Sequence, residues 1–167
     1  MTRDDPFQEK TDEERLALHL VRLACKLNQQ CGQRRRDDGR SHEYSGYTVD
    51  TPVLESAVYS PLQIVFGQPR YPSVFDRAAA LIVNVAKDHP FGDGNKRTAL
   101  ALGLRYLRFY SQRVVPPTAE HGANLVESAV LSQPRDYDST IRSTSHTLQQ
   151  WAAPDQTALK HRHIHLK

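Results

Sequence analysis

A chain of 167 residues, 38% hydrophobic and 25% charged, has room for one domain with a real core and little left for a second. No stretch approaches the roughly 18 consecutive apolar residues that span a bilayer. The segment Met1 to Lys10 is polar and mixed in charge, unlike a signal peptide, so a soluble, cytoplasmic protein with no membrane partner is expected. The net charge of +3 sits in the tail: without Lys160, Arg162 and Lys167 the basic residues equal the 19 acidic ones, which argues against a nucleic-acid-binding face.

Residues 1–11 read as a flexible N-terminus, 12–152 as one helical domain and 153–167 as a basic, histidine-containing tail. Thr11 and Glu14 form a capping-box pattern, and Leu16, Leu20, Leu23 and Leu27 follow at helical spacing. This predicts an amphipathic helix from Asp12 to about Gln30, stopped by Gly32. Gln33 to Gly46 has no apolar periodicity and reads as a solvated loop; its Arg34 to Arg36 run is followed at once by Asp37 and Asp38. Thr51-Pro52 reads as a cap and first-turn proline, opening a short helix through Val58. Ser60 to Tyr71 carries Pro61, Gly67 and Pro69 and reads as a turn or hairpin.

Ser73 and Asp76 signal another helix start, with Phe75, Ala78, Ala79, Ile82, Val85 and Ala86 on one face. Pro90 disfavours helical geometry at His89, which ends this helix near Asp88. Lys96 to about Tyr110 is apolar on more than one side and reads as the central, buried helix. After the break at Val115-Pro116-Pro117, helices are expected over Ala119 to Leu131 and Ser139 to Trp151. The class is all-α, with at most a small β-hairpin and no internal repeat.

The run His89-Pro90-Phe91-Gly92-Asp93-Gly94-Asn95-Lys96-Arg97 lies between two apolar helices. Gly92, Gly94 and Asn95 reach backbone geometries that let successive N–H groups converge as an anion nest. The next helix begins here, so its positive end faces the same point. Lys96 and Arg97 add charges suited to phosphate. Asp93 inside such a cradle would repel phosphate unless a cation lies between them, which points to Mg²⁺ held by Asp93 and phosphate oxygens. His89, at the entrance, can take a proton from an incoming hydroxyl near neutral pH. Taken singly, each residue has a plainer explanation, a helix cap or a turn glycine. A plain connector does not need all of them at these offsets, and together they describe transfer of a phosphorus-containing group to a hydroxyl.

HPFGDGNKR resembles the active-site motif of the Fic/death-on-curing superfamily, and Lys96 is similar to the death-on-curing branch. Leu54 to Ala57, Tyr71-Pro72, Phe75 to Ala80 and Thr98 to Ala101 extend the resemblance over about Val53 to Val130. It implies a compact helical fold with His89 as general base for a Ser, Thr or Tyr hydroxyl and Asp93 as the Mg²⁺ ligand. Gly92, Gly94, Asn95, Lys96 and Arg97 would form the nucleotide site, Phe91 would anchor the loop, and a hairpin within Ser60 to Tyr71 would align the target by strand addition. The commoner AMP-transferring pattern has glycine at Lys96 and a second arginine at Leu100. In the death-on-curing branch such departures go with a reversed nucleotide, transfer of the γ-phosphoryl group of ATP and growth arrest through elongation factor Tu. The resemblance therefore implies phosphotransfer, with AMP transfer and a non-catalytic nucleotide- or partner-binding module as alternatives. No glutamate is followed by Gly or Asn, so the superfamily's self-inhibitory helix pattern is absent and a separate antitoxin chain is implied, a segment that folds on binding.

Other features carry less. Cys25 and Cys31 form no CxxC pair. His161, His163 and His165 alternate in a tail expected to be disordered, and Trp151 reads as packing for the last helix.

Overall fold

The computed structural model describes residues 11–35 and 47–153, so the expectations for residues 1–10, for 36–46 and for the tail from 154 lie outside them. Both halves of the capping box form at the start of α1 (Asp12–Arg35): Thr11 Oγ1 accepts from the Glu14 N–H at 3.2 Å, and the Thr11 N–H donates to Glu14 Oε2 at 2.8 Å. Ala17, Leu20, Val21, Ala24, Leu27 and Asn28 make its buried stripe. The helix runs past the expected stop at Gly32. Glycine costs about 1 kcal/mol inside a helix, and the Gln33, Arg34 and Arg35 that follow are good helix formers.

The cap of α2 (Thr51–Tyr59) is Asp50 rather than Thr51: its carboxylate accepts from the Val53 N–H at 3.2 Å, leaving Thr51 and Pro52 in the first turn. Aspartate is at least as good a cap as threonine, so the register moves back by one residue. After a 3-10 turn at Ser60–Leu62 comes the expected hairpin. Strand β1 (Ile64–Val65) pairs antiparallel with β2 (Gln68–Pro69) in the register Ile64↔Pro69 and Val65↔Gln68. Phe66 (φ 50°) and Gly67 (φ 76°) make the turn with left-handed backbone at both positions, the geometry that matches strand twist.

Helix α3 (Val74–Asp88) is capped by Ser73 and buries every residue from Ala78 to Ala86. This makes it, and not the following helix, the centre of the molecule. It packs against α2, α4 (Asn95–Phe109), α5 (Ala119–Leu131) and α6 (Tyr137–Trp151). The periodicity marks Ala78, Ala79, Ile82, Val85 and Ala86, and the structure also buries Ala80, Leu81, Val83 and Asn84, because neighbours close in from all sides. Leu81, Ile82, Val83 and Val85 are fully buried, each contributing about 1.5–3 kcal/mol. Helix α4 crosses closely at Gly103, where an added Cβ would lie 2.4 Å from Ile82 Cγ1 and 3.2 Å from the Ala78 carbonyl. Helix α5 matches its expected bounds, whereas α6 starts at Tyr137, before the expected Ser139, after a 3-10 turn at Pro134–Asp136. The fold is all-α with one small hairpin. Among the described residues no helix is long and apolar enough to cross a membrane.

Candidate active site

The site is built where α3 stops and α4 starts. His89 caps α3 in left-handed backbone geometry (φ 48°, ψ 55°) and is exposed, followed by buried Pro90. A helix usually gives this position to glycine. Histidine there costs on the order of 1 kcal/mol, the kind of local strain that concentrates at functional positions. Its neighbour Asp88 has its pKa raised by burial, an effect partly countered by the charges of His89 and Lys87.

Residues 90–92 then run antiparallel beside 48–50. The Asp50 N–H donates to the Pro90 carbonyl at 2.7 Å, Val49 bridges Phe91, and the Gly92 N–H donates to the Thr48 carbonyl at 2.9 Å. Gly92 leaves room for the Thr48 side chain, since a Cβ would sit 2.9 Å from Thr48 Oγ1. Phe91 is buried, anchoring the loop in the core. The buried Asn95 side chain clamps it: Oδ1 accepts from the Phe91 N–H and Nδ2 donates to the Phe91 carbonyl, both at 2.9 Å. These two bonds make Asn95 a shaper of the loop as well as a lining residue of the cleft.

Asp93 lines the cleft; its Oδ1 accepts from the Gly94 N–H at 2.6 Å. Gly94 is left-handed (φ 77°) and caps α4 without a side chain. The first-turn N–H groups of α4, from Asn95 to Arg97, have no carbonyl one turn back, so they and the helix dipole face the mouth of the loop. Arg97 lines the same cleft. Lys96 lines it too, but its ammonium is ion-paired with Glu127 of α5.

These residues, with Cys31 and Tyr47, enclose a cleft of about 390 Å³. It is not the largest hollow: one of about 510 Å³ lies between α5 and α6, edged by His121, Ser128, Ser139, Thr140 and Trp151. No ionised carboxylate, lysine or arginine lines that hollow, so the smaller cleft is the one equipped for a polyanion.

His89 and Gly92 to Arg97 therefore converge on one cleft. Three contributors escaped the motif. Asn28 of α1, almost fully buried, donates from Nδ2 to the Asp93 carbonyl at 2.8 Å and to Thr98 Oγ1 at 3.2 Å. A signal for it existed, since it is the polar member of the stripe Ala17, Val21, Ala24, Asn28. Thr48 and Glu127 lie far from the loop in sequence and carry no comparable mark.

One histidine and one carboxylate beside a helix start form a cleft suited to a nucleotide-dependent transferase. The family profile described as Fic/DOC matches residues 18–107, which takes in Asn28, the hairpin and the whole loop. The chain belongs to this family. It is similar to a protein named Toxin Doc from Mycolicibacterium smegmatis (strain ATCC 700084 / mc(2)155), being 33% identical over 90 residues that cover 54% of this chain and 69% of the relative. No solved structure matches the chain significantly.

Proposed function

We propose that this chain is a death-on-curing-type toxin that moves the γ-phosphoryl group of ATP onto a Ser or Thr hydroxyl of a cytoplasmic target such as elongation factor Tu, arresting translation. The observation that carries the reading is the convergence of an accessible His89, the Asp93 carboxylate and the start of α4 on one cleft. In this scheme the backbone N–H groups of the first turn and the Arg97 guanidinium hold the phosphates. His89 accepts the proton of the target hydroxyl as its oxygen attacks the γ-phosphorus. The bond to the β–γ bridging oxygen breaks, and ADP leaves.

Magnesium fits this cleft as a companion of the nucleotide. Among the described residues no three His, Cys, Asp or Glu side chains cluster to hold an ion unaided. One carboxylate plus phosphate oxygens is a usual Mg²⁺ environment, and Asp93 supplies the carboxylate. When bound there the ion neutralises charge on the phosphate oxygens.

The hairpin suits the target-aligning role. Phe66 is fully exposed, and Ile64 and Val65 are about half exposed, presenting a short apolar ribbon to which an extended segment can add. Phosphotransfer is favoured over AMP transfer by two side chains. Leu100 turns toward Gly122 on α5 and offers no cation for a terminal phosphate, and Lys96 occupies the position where the AMP-transferring pattern has glycine. The named relative supports a toxin controlled by a separate antitoxin chain. His89→Ala tests catalysis itself: transfer and toxicity should vanish while nucleotide affinity stays within about twofold. A non-catalytic binding module would keep its effect on cells in the variant.

A further inference from the structure

We propose that Glu127 is a positioning residue of the nucleotide cleft, holding Lys96 against α5 and away from the phosphate chain; this rests on the nucleotide reading of the cleft. Lys96 lies in the first turn of α4 and lines the cleft, and a free ammonium there would be drawn to phosphate. Instead it pairs with the Glu127 carboxylate, which no motif anticipates. Helix α5 lies against α4 near its start and is tied by hydrogen bonds at its end. Near its start, Gly122 packs so closely on Leu100 of α4 that a Cβ would lie 2.9 Å from Leu100 Cδ2. At its end, Lys87 Nζ donates to the carbonyls of Ala129 at 3.3 Å and Ser132 at 2.6 Å. Helix α5 therefore carries Glu127 beside the cleft, where its charge cancels that of Lys96.

Both partners are half-exposed, and an ion pair of that kind contributes little to stability. Its consequence is for binding. With Lys96 held back, the nest and Arg97 grip the phosphates alone, which keeps the ground-state complex loose and leaves the lysine's butyl chain shaping the cleft wall.

The test is binding of Mg-ATP, inorganic tripolyphosphate and adenosine, by calorimetry, to the wild type, Glu127→Gln, Lys96→Met and the double variant. Releasing Lys96 in Glu127→Gln should tighten ATP and tripolyphosphate by about 3- to 10-fold, leave adenosine unchanged, and lose most of that gain when Lys96 is methionine. An equal gain in the Lys96→Met background would overturn the proposal, because the effect would then be general repulsion relieved without the lysine. Unchanged or weaker tripolyphosphate binding in Glu127→Gln would overturn it as well. If the wild type binds neither ATP nor tripolyphosphate, the nucleotide reading falls and this role with it, an outcome separate from the other two.

Discussion

Replacing Asn28 with alanine attacks the loop from outside the motif. The side chain is almost fully buried and donates two hydrogen bonds, at 2.8 Å to the Asp93 carbonyl and at 3.2 Å to Thr98 Oγ1. Each such bond contributes about 1 kcal/mol net, and Thr98 is itself fully buried, so its hydroxyl loses a partner it cannot replace with water. The sum is about 2–3 kcal/mol. With a urea m-value of about 2 kcal/mol/M, the unfolding midpoint should fall by a little over about 1 M. Function should suffer more than stability at temperatures where the variant is still folded. The Asp93 carbonyl is freed beside Gly94, so the carboxylate and the nest shift together, and displacements of about 1 Å can cost on the order of 100-fold in rate. Asn28→Asp should be worse than alanine, because it keeps the volume but turns a donor into a buried charge facing a carbonyl oxygen. Urea titration and Mg-ATP-dependent transfer would be measured on the same preparations. A midpoint shift below about 0.2 M with unchanged transfer would refute the idea that α1 holds the loop.

Three other substitutions probe separate features. Gly103→Ala should destabilise by about 1–3 kcal/mol in urea, since the new Cβ meets the Ile82 side chain and the Ala78 carbonyl; the gain in helix propensity offsets part of this. Tyr137 donates to Asn84 Oδ1 at 2.6 Å, and burial, reinforced by Tyr71, pushes its pKa up to about 12. Because the folded value is raised, the stabilisation from the neutral phenol is complete below the ordinary value near 10 and fades as pH rises through about 12. Tyr137→Phe should therefore lose about 1–3 kcal/mol at pH 7, and its unfolding midpoint should depend less on pH between those values. Phe66→Asp should leave the melting temperature and ATP affinity unchanged, because the side chain is fully exposed, while raising KM for the protein target at least several-fold. Unaltered KM would remove the hairpin from target alignment.

What could be read from the sequence, and what could not, follows from where the contacts lie. The turn and the helix start within His89 to Arg97 were legible because their parts are contiguous; the nest expected of the Gly92 and Gly94 N–H groups was not, since these donate to the Thr48 carbonyl and to Asp93 Oδ1. Helix α5 was legible because the break at Val115-Pro116-Pro117 marks its approach; in the structure Thr118 caps it, accepting from the His121 N–H. Helix α3 was only half legible. Its periodicity marks one face, while the burial of Ala80, Leu81, Val83 and Asn84 on the other side depends on four neighbours that no local pattern specifies. The same limit hid Thr48 and Glu127, which meet the loop only through the tertiary arrangement. Asn95 shows a subtler case. Its place in the motif suggests a phosphate ligand, and the coordinates add that its amide also clamps Phe91.

The most direct measurement uses wild-type and His89→Ala protein, Mg²⁺, a bacterial lysate and ATP labelled separately at the α- and γ-phosphate. Label from γ-labelled ATP alone, on one band at the mass of elongation factor Tu and absent with the variant, is the result expected. Label from α-labelled ATP would contradict phosphotransfer and make the chain an AMP transferase. Transfer of neither label, with ATP binding intact, would contradict catalysis and leave a nucleotide-binding module.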